Sequence, residues 1–383
     1  MNQEKLNKIR VFVAKYKDAD LHSLLLKKSP FAEVSMQELV QQIKGRKVAE
    51  KKVPFLNQEN IIFPPNLNLE QASSQDTADF KKQFFKGKKF VDLTCGFGID
   101  AYFLSQNFEE ITLIEQNTEL LDIVKHNWEV LGRKANFINQ KLEDFLKNNK
   151  EKFDLIYLDP ARRDNHNRKV FLLEDLSPNI IEIQEQLSNI STEVLIKLSP
   201  LIDIQHLVSS LQNIYKIWII AVKNEVKEVL VYLKKTENQP EISCINLQSS
   251  EPEFHFNLDD EKHCKSEFSI PKKYIYIPNN SVLKSGAFNL VSEKFGLKKL
   301  HQNTHIYTSG EKIAHFPGRI FETEEINSKA IKKGEQFNII TKNFPLKPEE
   351  IKKKYKIKDG GNQYLIAVKS LSGNHFLVGK LLD

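Results

Sequence analysis

At 383 residues, with 40 % hydrophobic and 28 % charged residues, the chain has room for two or three domains and the make-up of an ordinary globular protein, which sets aside disordered and fibrous classes. No apolar run is long enough to cross a bilayer, and the opening Met1-Asn2-Gln3-Glu4-Lys5 lacks the apolar core of a signal peptide, so a cytoplasmic protein is expected. Three cysteines, Cys95, Cys244 and Cys264, are scattered without disulfide or metal-ligand spacing, and the net charge of +6 permits a polyanionic partner without demanding one.

Residues 1–85 read as a helical region that becomes irregular. Met36, Leu39, Val40 and Ile43 keep a helical period, and prolines at 54, 64 and 65 break it. Ser73 or Ser74 then offers a cap for a helix leading into the first strand. From 86 to 235 strands and helices alternate. Phe90-Val91-Asp92 ends a buried strand, Gly96 and Gly98 form a tight turn, and Ile99 opens a helix. Further strands are expected at Ile111–Glu115, Ala135–Asn139, Phe153–Leu158 and Val194–Leu198. The Phe153–Leu158 run is apolar almost throughout, as a strand buried on both faces should be. Lys216–Val222 and Val229–Leu233 are expected as an antiparallel pair, because about six residues are too few for a parallel crossover. The expected architecture is therefore α/β: a Rossmann-like seven-stranded sheet with an N-terminal helical region and small α+β domains behind it. Residues 236–318 read as a connecting module, and 319–383 as a last unit in which positions 341–383 hold nine lysines against four acids.

Gly96 and Gly98 lie where a doubly wound sheet binds nucleotides, and glycine lets a ligand approach the backbone closely. Asp92, four residues before Gly96, separates this turn from a dinucleotide fingerprint, which needs no acid there and wants a third glycine where Ala101 stands. An acid at that point suits a ligand with a cationic amino-acid end. Glu115, one helix and one strand later, is placed to accept both ribose hydroxyls. Asp144, after strand three, is placed to accept from an adenine amine, with Leu142 and Phe97 as apolar neighbours. Thr94 and Gln116 complete the candidate cofactor set. Asp159-Pro160 ends strand four and is followed by Ala161, Arg162 and Arg163. Asp159, Pro160, Arg162 and Arg163 are the candidate catalytic residues: the acid to position or deprotonate a nucleophile, the arginines to stack on a base or grip a phosphate. A structural pairing of the arginines with Asp164 or Glu174 is the alternative. Lys197, near the end of strand five, is either an anion contact or a lysine reaching out to solvent. No cysteine lies between Cys95 and Cys244, which argues against covalent catalysis on pyrimidine C5. No metal cluster is indicated.

Asp92-x-x-x-Gly96-x-Gly98 with these strand-end acids resembles the class I S-adenosylmethionine (SAM) methyltransferases. In related enzymes a segment like Ser73-Ser74-Gln75-Asp76-Thr77-Ala78 closes over the cofactor, although a polar helix start reads the same way. Asp159-Pro160 is similar to the Asp-Pro-Pro-aromatic motif of methyltransferases that act on base amines, with Ala161 and Arg162 departing from it. The whole chain resembles a bacterial methyltransferase family with a ferredoxin-like module and a THUMP-like domain. Asp159-Pro-Ala-Arg-Arg, Lys197-Leu-Ser-Pro, Leu283-Lys-Ser-Gly-Ala-Phe, His305-Ile-Tyr-Thr-Ser, Phe316-Pro-Gly-Arg, Asn343-Phe-Pro and Asp359-Gly-Gly carry that resemblance. It implies SAM as cofactor and an RNA substrate, a tRNA or rRNA base. Phe344, Tyr355 and Tyr364 among the C-terminal lysines fit an RNA-binding face and equally a solvated surface. A protein or small-molecule methyltransferase, or a silent SAM- and RNA-binding protein, remains the competing reading.

Overall fold

The computed structural model describes residues 3–64, 72–162 and 172–382, with the side chains of Gln3 and Arg162 left aside. It divides into two compact units, residues 1–213 with 231–235, and residues 214–230 with 236–383.

The first unit opens with helices α1 (Gln3–Tyr16), α2 (Leu21–Leu25) and α3 (Met36–Lys52). Their spaced apolar residues form one core: Leu6, Ile9, Phe12 and Val13 meet Leu24, Leu39, Val40 and Ile43. Ser35 and Glu38 make a reciprocal capping box at the start of α3, satisfying amide groups that a helix start leaves unpaired. After α4 (Gln75–Lys82), the chain alternates through β1 (Gly87–Asp92), α5 (Ile99–Leu104), β2 (Phe108–Glu115), α6 (Thr118–Val130), β3 (Asn136–Asn139), α7 (Leu142–Asn148) and β4 (Leu155–Leu158). A short antiparallel pair, β5 (Ala161–Arg162) with β6 (Leu176–Ser177), follows. Then come α8 (Ile180–Ile190), β7 (Glu193–Leu198) and α9 (Ile204–Ser210).

Strands β7, β4, β1, β2 and β3 lie side by side in that order and are all parallel. The central strands carry the apolar runs: Leu155, Ile156 and Leu158 of β4 and Leu195 and Ile196 of β7 are fully buried. The irregular stretch before α4 is held by two buried amide side chains. Gln42 donates to the Phe63 carbonyl at 2.6 Å and accepts from its N–H at 2.8 Å. Asn127 of α6 does the same for Ile62, at 2.8 and 2.9 Å. Both side chains satisfy backbone groups that no strand or helix pairs.

The second unit contains β8 (Ile214–Val222), the first half of β9 (Glu225–Lys234), β10 (Glu241–Leu247) and β11 (Phe254–Asn257), in the spatial order β11-β10-β8-β9. Two residues, Lys223 and Asn224, join β8 to β9, both at positive φ (49° and 65°), as a tight two-residue hairpin requires. The expected hairpin is present, but its turn is shorter than the six residues read from the sequence. Asn224 ties the turn down by donating its N–H to Asn246 and accepting from the Asn280 N–H. Strands β10 and β11 extend this hairpin beyond the expected seven-strand pattern.

The rest of the unit runs α10 (Asp260–His263), β12 (Tyr274–Pro278), α11 (Asn280–Ser285), α12 (Phe288–Lys294), β13 (Lys298–His301), β14 (Thr304–Ser309), β15 (Gly318–Ile326), β16 (Gln336–Lys342), α13 (Pro348–Tyr355), β17 (Lys358–Ser370) and β18 (Gly373–Leu382). Its strands form one sheet, ordered β13-β14-β12-β15-β18-β17-β16. Phe344 and Tyr355 pack edge-on against Phe376, and Tyr364 against Phe321. Each of the three is half-buried, with part of its ring against the core of this unit and part left exposed. Among the described residues no helix is long and apolar enough to cross a membrane.

Gly45 gives a test of the N-terminal packing. It sits inside α3, where alanine would normally stabilise by about 1 kcal/mol. A Cβ there would lie 2.3 Å from the Phe63 ring, and Phe63 is fully buried. Overpacking of that kind costs about 1–3 kcal/mol, so Gly45→Ala is expected to lower the urea midpoint; a raised midpoint would show that Phe63 gives way freely.

Candidate active site

The turn after β1 is built by the backbone. The Leu93 N–H donates to the Tyr157 carbonyl at 2.9 Å, the Cys95 N–H to the Ile114 carbonyl at 2.9 Å, and the Gly98 N–H to the Cys95 carbonyl at 2.8 Å. Gly96 and Gly98 stand at φ of 55° and 75°, a region that side chains with a Cβ enter at a cost of roughly 1–2 kcal/mol. Gly98 is also tight, since a Cβ there would come within 3.1 Å of both Trp128 and Val124. Cys95 is buried, and burial pushes its thiol well above the ordinary range, which removes it as a nucleophile.

The parallel sheet brings the predicted residues to one edge. Asp92 closes β1, is 1 % exposed and accepts from the Thr94 N–H at 2.9 Å. Burial, with Asp100 and Asp159 nearby, holds its carboxyl well above the usual range, although the Thr94 N–H and Lys197 favour the charged form. Glu115 closes β2, and its two carboxylate oxygens accept from the N–H groups of Gly96 at 3.0 Å and Asn117 at 2.8 Å. Asn139 of β3 fixes that corner by donating to the carbonyls of Glu115 and Gln116. Asp144 lies exposed in the first turn of α7, two residues after buried Leu142. Phe97 lies 6.0 Å from Phe63, ring to ring. Asp159 follows β4, with its N–H donating to Thr94 Oγ1 at 2.7 Å, and Pro160 beside it is buried. Arg162 lies in β5, while Arg163 falls outside the described residues.

Three residues that the sequence reading passed over, Asp100, Lys81 and Tyr157, complete the site. Asp100, in the first turn of α5, pairs with Lys81 of α4 at 2.9 Å and Lys197 of β7 at 3.0 Å. It also accepts from the hydroxyls of Ser73 at 2.7 Å and Tyr157 at 2.8 Å. Burial works against its charge, but Lys197 and then Lys81 outweigh it and hold the carboxyl far below the usual range. Lys197 also pairs with Asp159 at 2.6 Å. It is thus an internal ion-pair partner, and both readings offered for it from the sequence are corrected. Burial and Asp100 keep Asp159 above the ordinary carboxylate range, with Lys197 opposing them; its side chain is 40 % exposed, so solvent tempers that burial. A signal for these residues was present in the sequence. Tyr157 and Lys197 are the polar interruptions in two otherwise apolar central strands, and Asp100 stands between Ile99 and Ala101 on a buried helix face. Of the two serines, Ser74 caps α4, and Ser73 reaches the acid.

Three comparisons bear on this geometry. A family model described as conserved hypothetical protein 95 matches residues 75–197, a ferredoxin-like domain matches 274–317 and a THUMP-like domain matches 318–379. The crystal structure of a protein from Porphyromonas gingivalis W83, provisionally assigned as a methyltransferase, is 28 % identical, with 99 % of each chain covered and a TM-score of 0.86. A curated relative, an uncharacterised RNA methyltransferase of Mycoplasma mobile, is 28 % identical over 157 residues, covering 39 % of this chain and 43 % of that protein, so the match spans less than half of the relative's length. With the sheet, the glycine turn and its ring of acids in place, the chain combines a methyltransferase-type sheet with a ferredoxin-like and a THUMP-like domain, and over its whole length it is similar to that Porphyromonas protein.

Proposed function

We propose that the protein transfers a methyl group from SAM to RNA, with a tRNA or rRNA base as acceptor. The observation that carries the cofactor half is a charge imbalance. Asp92, Asp100 and Asp159 stand together at the sheet edge, and among the described residues two lysines, Lys81 and Lys197, answer them. Both lysines pair with Asp100, and Lys197 also with Asp159, which leaves Asp92 buried on a single backbone hydrogen bond. Burying a charge without a partner is costly, and a ligand ammonium beside Asp92 removes that cost. The residues therefore fit SAM: Asp92 for the ammonium, the Gly96–Gly98 turn for close backbone approach, Glu115 for the ribose hydroxyls, and Phe97, Leu142 and Asp144 for the adenine, with Thr94 and Gln116 alongside.

SAM supplies an electrophilic methyl on a sulfonium. Asp159 and the Pro160 carbonyl then have one task, to accept hydrogen bonds from an incoming amine or hydroxyl and hold it in line, and positioning of this kind supplies much of the rate. Arg162 and Arg163 are the proposed contacts to the acceptor's base or phosphate. RNA as acceptor is supported by the THUMP-like domain, by the name of the Mycoplasma relative and by the nine lysines against four acids in residues 341–383.

Two outcomes test the proposal. A raised carboxyl pKa means that the folded protein keeps a proton that the unfolded chain, near pH 3.9, has lost; stability then falls as pH rises from about 4 to the folded value. Asp92→Asn is expected to flatten that slope and raise the melting temperature of the ligand-free protein, while weakening SAM binding about 10- to 100-fold, the worth of a charged hydrogen bond. Calorimetry in which Asp92→Asn bound SAM as the wild type does would remove Asp92 from the site. For the acceptor, methyl label from SAM is expected in one RNA species from a strain lacking the gene, and not with Asp159→Ala. Label appearing in protein or small molecules alone would overturn the RNA assignment.

A further inference from the structure

Lys197 stands one residue before the end of β7, and its ammonium sits where three acceptors converge. Asp159 Oδ2 lies at 2.6 Å, Ser73 Oγ at 2.9 Å and Asp100 Oδ2 at 3.0 Å. An ammonium has three protons, and each has an acceptor here. The side chain is 12 % exposed, so this is not a solvated surface pair, whose worth would be small. A lysine whose donors are all engaged serves as an anchor and is poorly suited to be a base or a contact for a passing anion. Asp159 is fixed twice as a result, at its N–H by Thr94 Oγ1 and at one carboxylate oxygen by Lys197. Among the described residues nothing bonds the second oxygen, which is open to an incoming donor.

We infer that Lys197 is a positioning residue of the transfer reaction, holding Asp159 as an oriented acceptor toward the nucleophile. The inference rests on the methyltransferase reading above. It assigns Lys197 an effect on catalysis that passes through Asp159. Ser73, at the start of the segment leading into α4, and Asp100 of α5 occupy the other two protons, so the aim of Asp159 is referenced to the glycine-turn helix as well as to β7. Among the described residues, the charged and titratable groups around Asp159 are Asp92 at the end of β1, Asp100 of α5, Lys81 of α4 and Lys197 of β7, with the Tyr157 hydroxyl of β4 on Asp100. Without Lys197, three carboxylates share Lys81, and Asp159 takes up a proton at a higher pH. The carboxylate then becomes a neutral acid, with an O–H in place of one acceptor oxygen and a weaker hold on the nucleophile's hydrogen.

The test uses the full chain as wild type, Lys197→Met, Asp159→Asn and the double variant, in methyl transfer from labelled SAM across the acidic and neutral range. Lys197→Met is expected to lower kcat about 100-fold, the loss a misplaced group brings, with KM for SAM changed by less than about twofold. Its acid limb should move up by about one pH unit. In the Asp159→Asn background the same change should cost less than about threefold, because residues that act as one unit are not additive. Losses that multiply in the double variant, or an acid limb that stays in place, would overturn the inference while leaving the methyltransferase reading intact. Loss of SAM binding in step with kcat would show a merely structural lysine. If Lys197→Met does not fold, Lys197→Gln, which drops the charge and keeps an amide donor, answers the same comparison. A wild type that transfers methyl to no acceptor overturns the reading and this inference together.

Discussion

The first unit is organised by the need to accommodate several carboxyl groups in a place where water is scarce. A parallel sheet gathers its strand ends along one edge, and this chain puts an acid after β1, β2 and β4 and another in the first turn of α5. Each solves its burial differently. Glu115 uses two backbone N–H groups, Asp100 uses two lysines and two hydroxyls, and Asp159 shares Lys197. Among the described residues Asp92 has one amide. Breaking a buried pair costs far more than the pair itself contributes, so these partners are constrained as a set.

That set also explains why distant segments are held together. Lys81 comes from α4, Ser73 from the stretch before it, Asp100 from α5, Tyr157 from β4 and Lys197 from β7. The Asp100 carboxylate fixes the other four, and apolar packing alone would not specify their register so closely, because it is non-directional. The glycine turn lies inside this frame, with Trp128 and Val124 closing on Gly98 from α6. On the SAM reading the backbone would meet its ligand inside this hydrogen-bonded frame, and the same residues that stabilise it would set the charge the ligand meets.

The sheet and most of the site were legible in the sequence because they depend on local pattern. The apolar runs at β4 and β7, the two glycines and the strand-end acids are each visible within a few residues. The hairpin was found, but its length was misjudged, since positive φ at Lys223 and Asn224 leaves little trace when neither residue is glycine. What stayed hidden is the pairing across long sequence distances. Lys197 and Ser73 are 124 residues apart, and Lys197 and Asp100 are 97 apart. A lysine near a strand end is commonly solvated, and nothing local announces that the strand end is enclosed.

The fate of the C-terminal aromatics bears on how specificity would be divided. Phe344, Tyr355 and Tyr364 are each half-buried against Phe376 or Phe321, and the nine lysines outnumber them in residues 341–383. On the RNA reading these lysines bind phosphate, and phosphate contact carries affinity and salt dependence but no direct sequence information. The choice of acceptor atom then falls to the first unit, where the aim of the Asp159 carboxylate decides whether an incoming group must bring a proton. An amine or hydroxyl satisfies a fixed acceptor; a ring nitrogen that presents a lone pair faces repulsion from it. A division of that kind, with charge for capture and one anchored carboxylate for choice, follows from where this chain spends its aromatic residues and where it buries its lysine.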